Sequence, residues 1–208
     1  MMDDPHRIAS VADLEALYAP PSEIILKTKF DFLDDHAIAM IRKTPICFLA
    51  SVGGTGADIS PRGGEQGFVH VIDRKSFAIP DWPGNNKLET MHNLLEDPRC
   101  GVVFLLPGHD LFLRVNGTAM LTRDPALLDA LVEFNRPPKL AIRVHVDEVY
   151  FHCGKAIKRS RIWEPDSWPA RDAIAKIGRM MADQAKLADA DEDELDAAYR
   201  RGIEEDLY

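Results

Sequence analysis

Between residues 45 and 153 the apolar residues recur at every second position, and no more than one helical stretch separates two such runs. A period of two places alternate side chains on opposite faces of a strand. "PICFLASV" reads as a strand, and the glycines of 53–56 as the turn after it. "ADISPRGG" is a short second strand that ends at Pro61 and two glycines. "GFVHVI" and "SFAIP" flank Asp73, Arg74 and Lys75 as a hairpin. "RCGVVFLLPG" is nearly all apolar, so both of its faces require cover. In "DLFLRVNGTAMLT" the faces separate: Leu111, Leu113, Val115, Ala119 and Leu121 on one, and Phe112, Arg114, Asn116, Thr118 and Met120 on the other. "LAIRVHVDEVYFHCG" is the last long strand. Strands this closely spaced predict a small antiparallel barrel with flanking helices, a mainly β chain of the α+β type.

Helical signals surround and interrupt this β region. Ser10 and Asp13 form a capping signal before "LEALY", and Asp34 and Asp35 open "HAIAMIRK", which Pro45 ends. "NNKLETMHNLLEDP" carries Leu88, Met91, Leu94 and Leu95 at helical spacing. "DPALLDALVEF" has Asp124 as cap and Pro125 at its first position. After the linker "WEPDSWPA", two polar-faced helices are expected in "DAIAKIGRMMADQAKLADA" and "DELDAAYRRGIEEDLY". The expected organisation is an N-terminal helical segment (1–34), a barrel domain (35–165) and a C-terminal helical extension (166–208).

Composition narrows the function. The 208 residues are 46% apolar and 28% charged, an ordinary globular balance. A formal net charge of -9 argues against a nucleic-acid partner, since phosphate backbones call for a basic surface. Three cysteines, Cys47, Cys100 and Cys153, stand far apart with no CxxC pair, which supports neither a disulfide framework nor a metal site. The N-terminus is acidic and polar, unlike a secretion signal, and the apolar runs are too short to span a bilayer. The expected location is the cytoplasm, away from membranes.

Three places could carry chemistry. In "PDWPGNNKLETMHNLLEDP" two asparagines and Lys87 crowd the start of an expected helix. The junction is either a solvated first turn or an anion site, and a cation at the positive end of a helix dipole suits the second. Arg62 in "SPRGG" ends a short strand beside glycines that permit close backbone approach. An Arg fork together with a helix N-terminus supplies the several donors a phosphate needs. The third place is "HCGKAIKRSRIWEP", where Lys155, Lys158, Arg159 and Arg161 fall within seven positions and Trp163 follows. That run is either a solvated face or a surface for a charged, flat ligand. The loop "GGTG" lacks the GK[ST] of a phosphate loop. His70, His92, His109 and His145 show no ligand spacing, and no GxSxG elbow or Cys–His pairing is present. Anion- and ring-binding features without a nucleophile or metal suit a cofactor that brings its own chemistry.

Four segments in series, "DISPRGG", "FAIPDWPGNNKLETMHNLLEDPRCGVVFLLPG", "LRVNGTA" and "VYFHCGKAIKRSRIWEP", resemble the pyridoxamine 5'-phosphate oxidase-like flavoproteins, the FMN-binding split barrels. The resemblance covers about residues 35–165. It implies a six-stranded antiparallel split barrel, a homodimer, and one FMN in each of two clefts at the subunit interface. By position, Ser60 and Arg62 are expected to meet the FMN phosphate or ribityl chain, and Ile79 and Pro80 to lie along the isoalloxazine through their backbone. Asn86 and Lys87 are expected to bind the phosphate, and His152, Arg161 and Trp163 from the other subunit to cover the ring or its polar edge. The chain departs from the true oxidases in one respect. Their Arg-x-His signature has no match in "KRSRIW". The expected activity is therefore an FMN-dependent oxidoreductase of another small-molecule substrate or electron donor, with no catalytic residue assigned. The alternative is a non-catalytic FMN carrier or sensor.

Overall fold

The computed structural model describes residues 4–54, 56–187, 190–205 and 207–208. Thr55 of the 53–56 turn and Asp189 of the acidic tract lie outside the described residues. Among the described residues seven strands form one sheet: β1 (Ile46–Gly53), β2 (Gly56–Gly63), β3 (His70–Asp73), β4 (Ser76–Pro80), β5 (Arg99–Leu105), β6 (Leu111–Thr122) and β7 (Ala141–Cys153). All pairs are antiparallel, in the order β2-β1-β5-β6-β7-β4-β3.

The sheet curls onto itself. β4 and β5 are three strand steps apart, roughly 14 Å in a flat sheet at ~4.8 Å per step. Yet Phe77 of β4 and Phe104 of β5 meet edge to face with ring centroids 5.6 Å apart. The enclosed core is built from the inward positions of every long strand, among them Leu49, Val102, Phe104, Leu113, Val115, Ile142 and Val144. The fold is an antiparallel split barrel. The resemblance implied six strands; the seventh is the short edge strand β3, which pairs only with β4 and slips register between Val71 and Asp73. The alternation read in β6 holds, with Leu113, Val115 and Ala119 buried.

Two helices close the barrel. The helix α3 (Asp35–Ile41) starts at Asp34, whose carboxylate accepts from the Ala37 N–H at 2.8 Å, and it buries Ala37, Met40 and Ile41. The helix α4 (Glu89–Glu96) inserts Met91 and Leu94 into the core. Its buried Asn93 donates to the Gly56 carbonyl (2.9 Å) and the Ser51 hydroxyl (3.3 Å), clamping the β1–β2 hairpin. The helix after β6 runs over Pro125–Ala130 with Asp124 capping it through the Ala126 and Leu127 N–H groups. Two short peripheral helices, Val11–Glu15 and Glu23–Lys27, precede the barrel; Ser10 caps the first as expected, and the second carries no strong sequence signal.

Other differences are local. α4 begins at Glu89 and not at the asparagines, because Asn86 takes a left-handed backbone (φ 56°) that breaks the helical path. The basic run 155–160 forms a short helix (Lys155–Ser160) packed through Ile157. The last two helices cover Ile177–Ala185 and Glu192–Glu205. They join through Arg179–Glu192 (2.7 Å) and Lys176–Asp193 (3.1 Å). No helix of the described residues is long and apolar enough to cross a membrane.

Candidate functional site

The ends of β2 and β4, the loop 81–88 and the first turn of α4 enclose a cleft of about 640 Å³. β2 brings Ser60 and Arg62 to it, and β4 brings Pro80. The loop adds Asp81, Trp82, Asn85, Asn86 and Lys87, while Lys139 enters from the segment before β7. Pairing of Pro80 with Ala141 and the bond from the Asp81 N–H to the Leu140 carbonyl (3.0 Å) hold that last segment against β4.

Arg62 is the organising side chain. Its Nη1 donates to Asp81 Oδ1 at 2.7 Å, and both side chains are mostly buried, 15% and 17% exposed. Burial of this pair fixes the guanidinium in one place. Its Nε is nonetheless buried without a hydrogen-bond partner, and so is the indole Nε1 of Trp82 in the same cleft wall. A buried donor without an acceptor costs free energy on the order of 1–3 kcal/mol. Two of them in side chains that line one cleft are buried polar groups that still call for an acceptor. The charge balance agrees: among the described residues Arg62, Lys87 and Lys139 line the cleft against the single side-chain carboxylate of Asp81, in a chain of net charge -9.

The loop is organised by its own backbone. The Lys87 N–H donates to Asn85 Oδ1 at 3.0 Å, which closes a tight turn, and Asn86 occupies the left-handed region that asparagine tolerates. Leu88 precedes α4 without a side-chain cap, so the N–H groups of its first turn are not met by a capping side chain. Lys87 makes no ion pair among the described residues. Behind Arg62, its ladder partner Cys47 lies in the core, where burial pushes the thiol up to about 12.

The structure thus brings Ser60, Arg62, Pro80, Asn86 and Lys87 together. Ile79 does not line the cleft; its side chain is fully buried in the core beside it. His152, Arg161 and Trp163 lie elsewhere. His152 is exposed near the Phe112 ring at 6.3 Å, Arg161 pairs with Glu164 at 2.7 Å, and the Trp163 indole donates to the His109 carbonyl at 3.1 Å. Within one chain they surround the β5–β6 connection and not the cleft. Asp81, Trp82 and Lys139 were not singled out from sequence. Trp82 sat in the quoted "PDWPGNNK" as a visible signal, whereas Lys139 reaches the cleft through strand pairing alone. Among the described residues no group of His, Cys, Asp and Glu could hold a metal ion.

A family model described as pyridoxamine 5'-phosphate oxidase matches residues 33–153, more than half of the chain and every strand of the barrel. The chain belongs to the pyridoxamine 5'-phosphate oxidase family. Solved structures similar to this family member include HupZ of Group A Streptococcus, at 18% identity over 56% of this chain and 90% of that chain, with a TM-score of 0.46. An FMN-binding protein from Syntrophomonas wolfei is 15% identical over 55% of this chain and 82% of that chain (TM-score 0.42). General stress protein 26 from Bacillus anthracis is 11% identical over 54% and 88% (TM-score 0.41). No curated protein is significantly similar to the sequence.

Proposed function

We propose that the cleft binds FMN and that the protein is an FMN-dependent oxidoreductase of a small molecule other than pyridoxamine phosphate. The observation that carries this reading is the pair of unpartnered buried donors, Arg62 Nε and Trp82 Nε1, in a cleft with excess positive charge. The residues present fit the group. Arg62, anchored by Asp81, presents fixed donors to an anion without having to lose rotamer freedom on binding. Lys87, Asn86 and Ser60 add donors at the cleft wall, and Pro80, Leu88 and Met91 provide apolar surface. When bound, FMN supplies the redox chemistry. The chain's part is to hold the phosphate, to exclude water from the apolar wall and to orient the substrate.

The second wall is assigned to a second copy of the chain. The outer face of the sheet sets Ile46, Leu105 and Phe112 in one row and Phe48 beside Val103 in the next, all only half-buried. An apolar sheet face of this kind calls for cover. His152 of the partner subunit, Arg161 of the partner subunit and Trp163 of the partner subunit are the residues proposed to close the flavin site.

One observation favours a carrier or sensor as the second reading: Asp81, the carboxylate lining the cleft, is already engaged by Arg62, which leaves no free carboxylate among the described lining residues. The test is the absorption spectrum and mass of the chromophore that copurifies, followed by anaerobic mixing with NADH and NADPH. A flavin spectrum with the mass of FMN is expected, and bleaching by either donor supports the oxidoreductase. A flavin that stays oxidised with both supports the carrier, and a colourless protein that takes up no FMN overturns both.

A further inference from the structure

The residues Leu207 and Tyr208, at the far end of the sequence from the barrel strands, fold back onto the cleft. Leu207 is part of its lining. The Tyr208 ring packs edge-on against Trp82 with centroids 5.1 Å apart and lies tilted against Phe134 at 4.8 Å. The Arg136 guanidinium donates to the main-chain oxygen of Tyr208. Burial, and then a hydrogen bond to Glu133, raises the Tyr208 phenol above its usual pKa. Glu133 in turn accepts from the Glu65 N–H at 3.3 Å, so the tail is tied to the loop that leaves β2. Thus Tyr208 covers the Trp82 indole, whose Nε1 is buried without a partner.

We infer that Leu207 and Tyr208 form a strap, a removable wall of the cleft that limits how fast a ligand enters and leaves. The inference rests on the FMN reading for the identity of the ligand. The contacts have the strength of a latch. Two ring pairs of this geometry favour the closed form by a factor of roughly ten to a hundred, which leaves the open form populated enough to admit a ligand. Leu207 itself is 55% exposed, as a segment on the surface of the cleft requires. A ligand held behind such a strap leaves only in the open fraction, so its release is slower than from an uncovered cleft.

The experiment compares the full chain with a chain ending at Glu205 and with Tyr208→Ala. In protein labelled with 5-fluorotryptophan, the three tryptophans give three 19F signals, and that of Trp82 is assigned by its loss in Trp82→Phe. Shortening the chain is expected to move the Trp82 signal and leave those of Trp163 and Trp168 in place, without FMN. With FMN bound, stopped-flow release is expected to be about ten- to a hundredfold faster in the shortened chain, and intermediate in Tyr208→Ala. An unmoved Trp82 signal, or a moved signal with unchanged FMN release, overturns the strap. If FMN binds to none of the three proteins, the flavin reading fails, and the Trp82 signal alone then decides whether the tail walls the cleft.

Discussion

Arg62 illustrates how one side chain can be satisfied for folding and unsatisfied for binding at once. Its Nη1 is held by Asp81 at 2.7 Å, while its Nε has no acceptor. Arg62→Lys keeps the charge and removes the fork. The expected outcome is a loss of FMN affinity of about ten- to a hundredfold with a near-native melting curve, measured by fluorescence titration. Undiminished affinity counts against the phosphate assignment. The thiols give a separate check. Burial pushes both Cys47 and Cys100 up to about 12, while Cys153 is exposed. Native protein at pH 8 is therefore expected to show one fast thiol to a disulfide reagent, and three after denaturation. The linkage has a definite sign. A thiol whose folded pKa lies above its ordinary 9.0 contributes stability that is whole below pH 9 and is lost as pH rises toward 12. Unfolding free energies from urea titrations should fall between about pH 9 and 10.5, by roughly 1.4 kcal/mol per pH unit for each ionising thiol at most, and fall less steeply in Cys47→Ala.

At the scale of elements, the β6–β7 pair is the longest pairing of the sheet. Its register slips between Asn116 and Gly117, and a Cβ on Gly117 would run into the carbonyl oxygen of His145. Gly117→Ala is expected to destabilise the protein by about 1–3 kcal/mol or more, read as a lower urea midpoint, because backbone and not a flexible side chain must move. A midpoint equal to wild type would show that this pairing can relax at no cost. Asn93 plays the complementary part on α4. Its amide holds the β1–β2 hairpin through Gly56 and Ser51. Asn93→Leu should leave those groups without their partner and cost about 1–3 kcal/mol. Since α4 and β2 both border the cleft, the same variant is expected to weaken FMN binding as well as stability.

The whole molecule sets the site through its curvature and its outer face. The barrel is filled by its own side chains, from Leu49 to Val144, so a ring-shaped ligand must lie outside it and needs a second wall. Under the dimer proposal, Val103→Asp on the outer face, beside Phe48, is expected to give a folded monomer by light scattering and to weaken FMN binding at the same time. A flavin-loaded monomer of the wild-type chain would sink the shared site. The missing Arg-x-His signature leads to a further expectation. A second phosphate beside FMN would fall to Lys139 or to the 155–160 run, where lysines act as point charges. Peroxide release with pyridoxamine phosphate should therefore fall at least about a hundredfold below a typical rate of ~10 per second.

Local order was legible because it depends on neighbours in the chain. Period-two runs require one face in and one face out and an all-apolar run requires cover on both, and the segments read in these ways became strands. Asp34 and Asp124 cap helices as their positions demanded, since a cap bonds to N–H groups two or three residues away. Arg62, Asn86 and Lys87 could be singled out as donors from their residue types and their places beside glycines and a helix. The start of α4 could not, because the left-handed turn at Asn86 belongs to a loop shaped by what packs around it. Nor could the partnership of Arg62 with Asp81, the unpartnered indole of Trp82, or the arrival of Lys139 and Leu207 at the same cleft. Those depend on how the sheet curls and in what register β4 meets β7, which is decided by the packing of the core as a whole. The chain alone determines which segments are strands and which side chains can bind an anion; the closed sheet decides which of them share a cleft, because it brings together residues far apart in the chain.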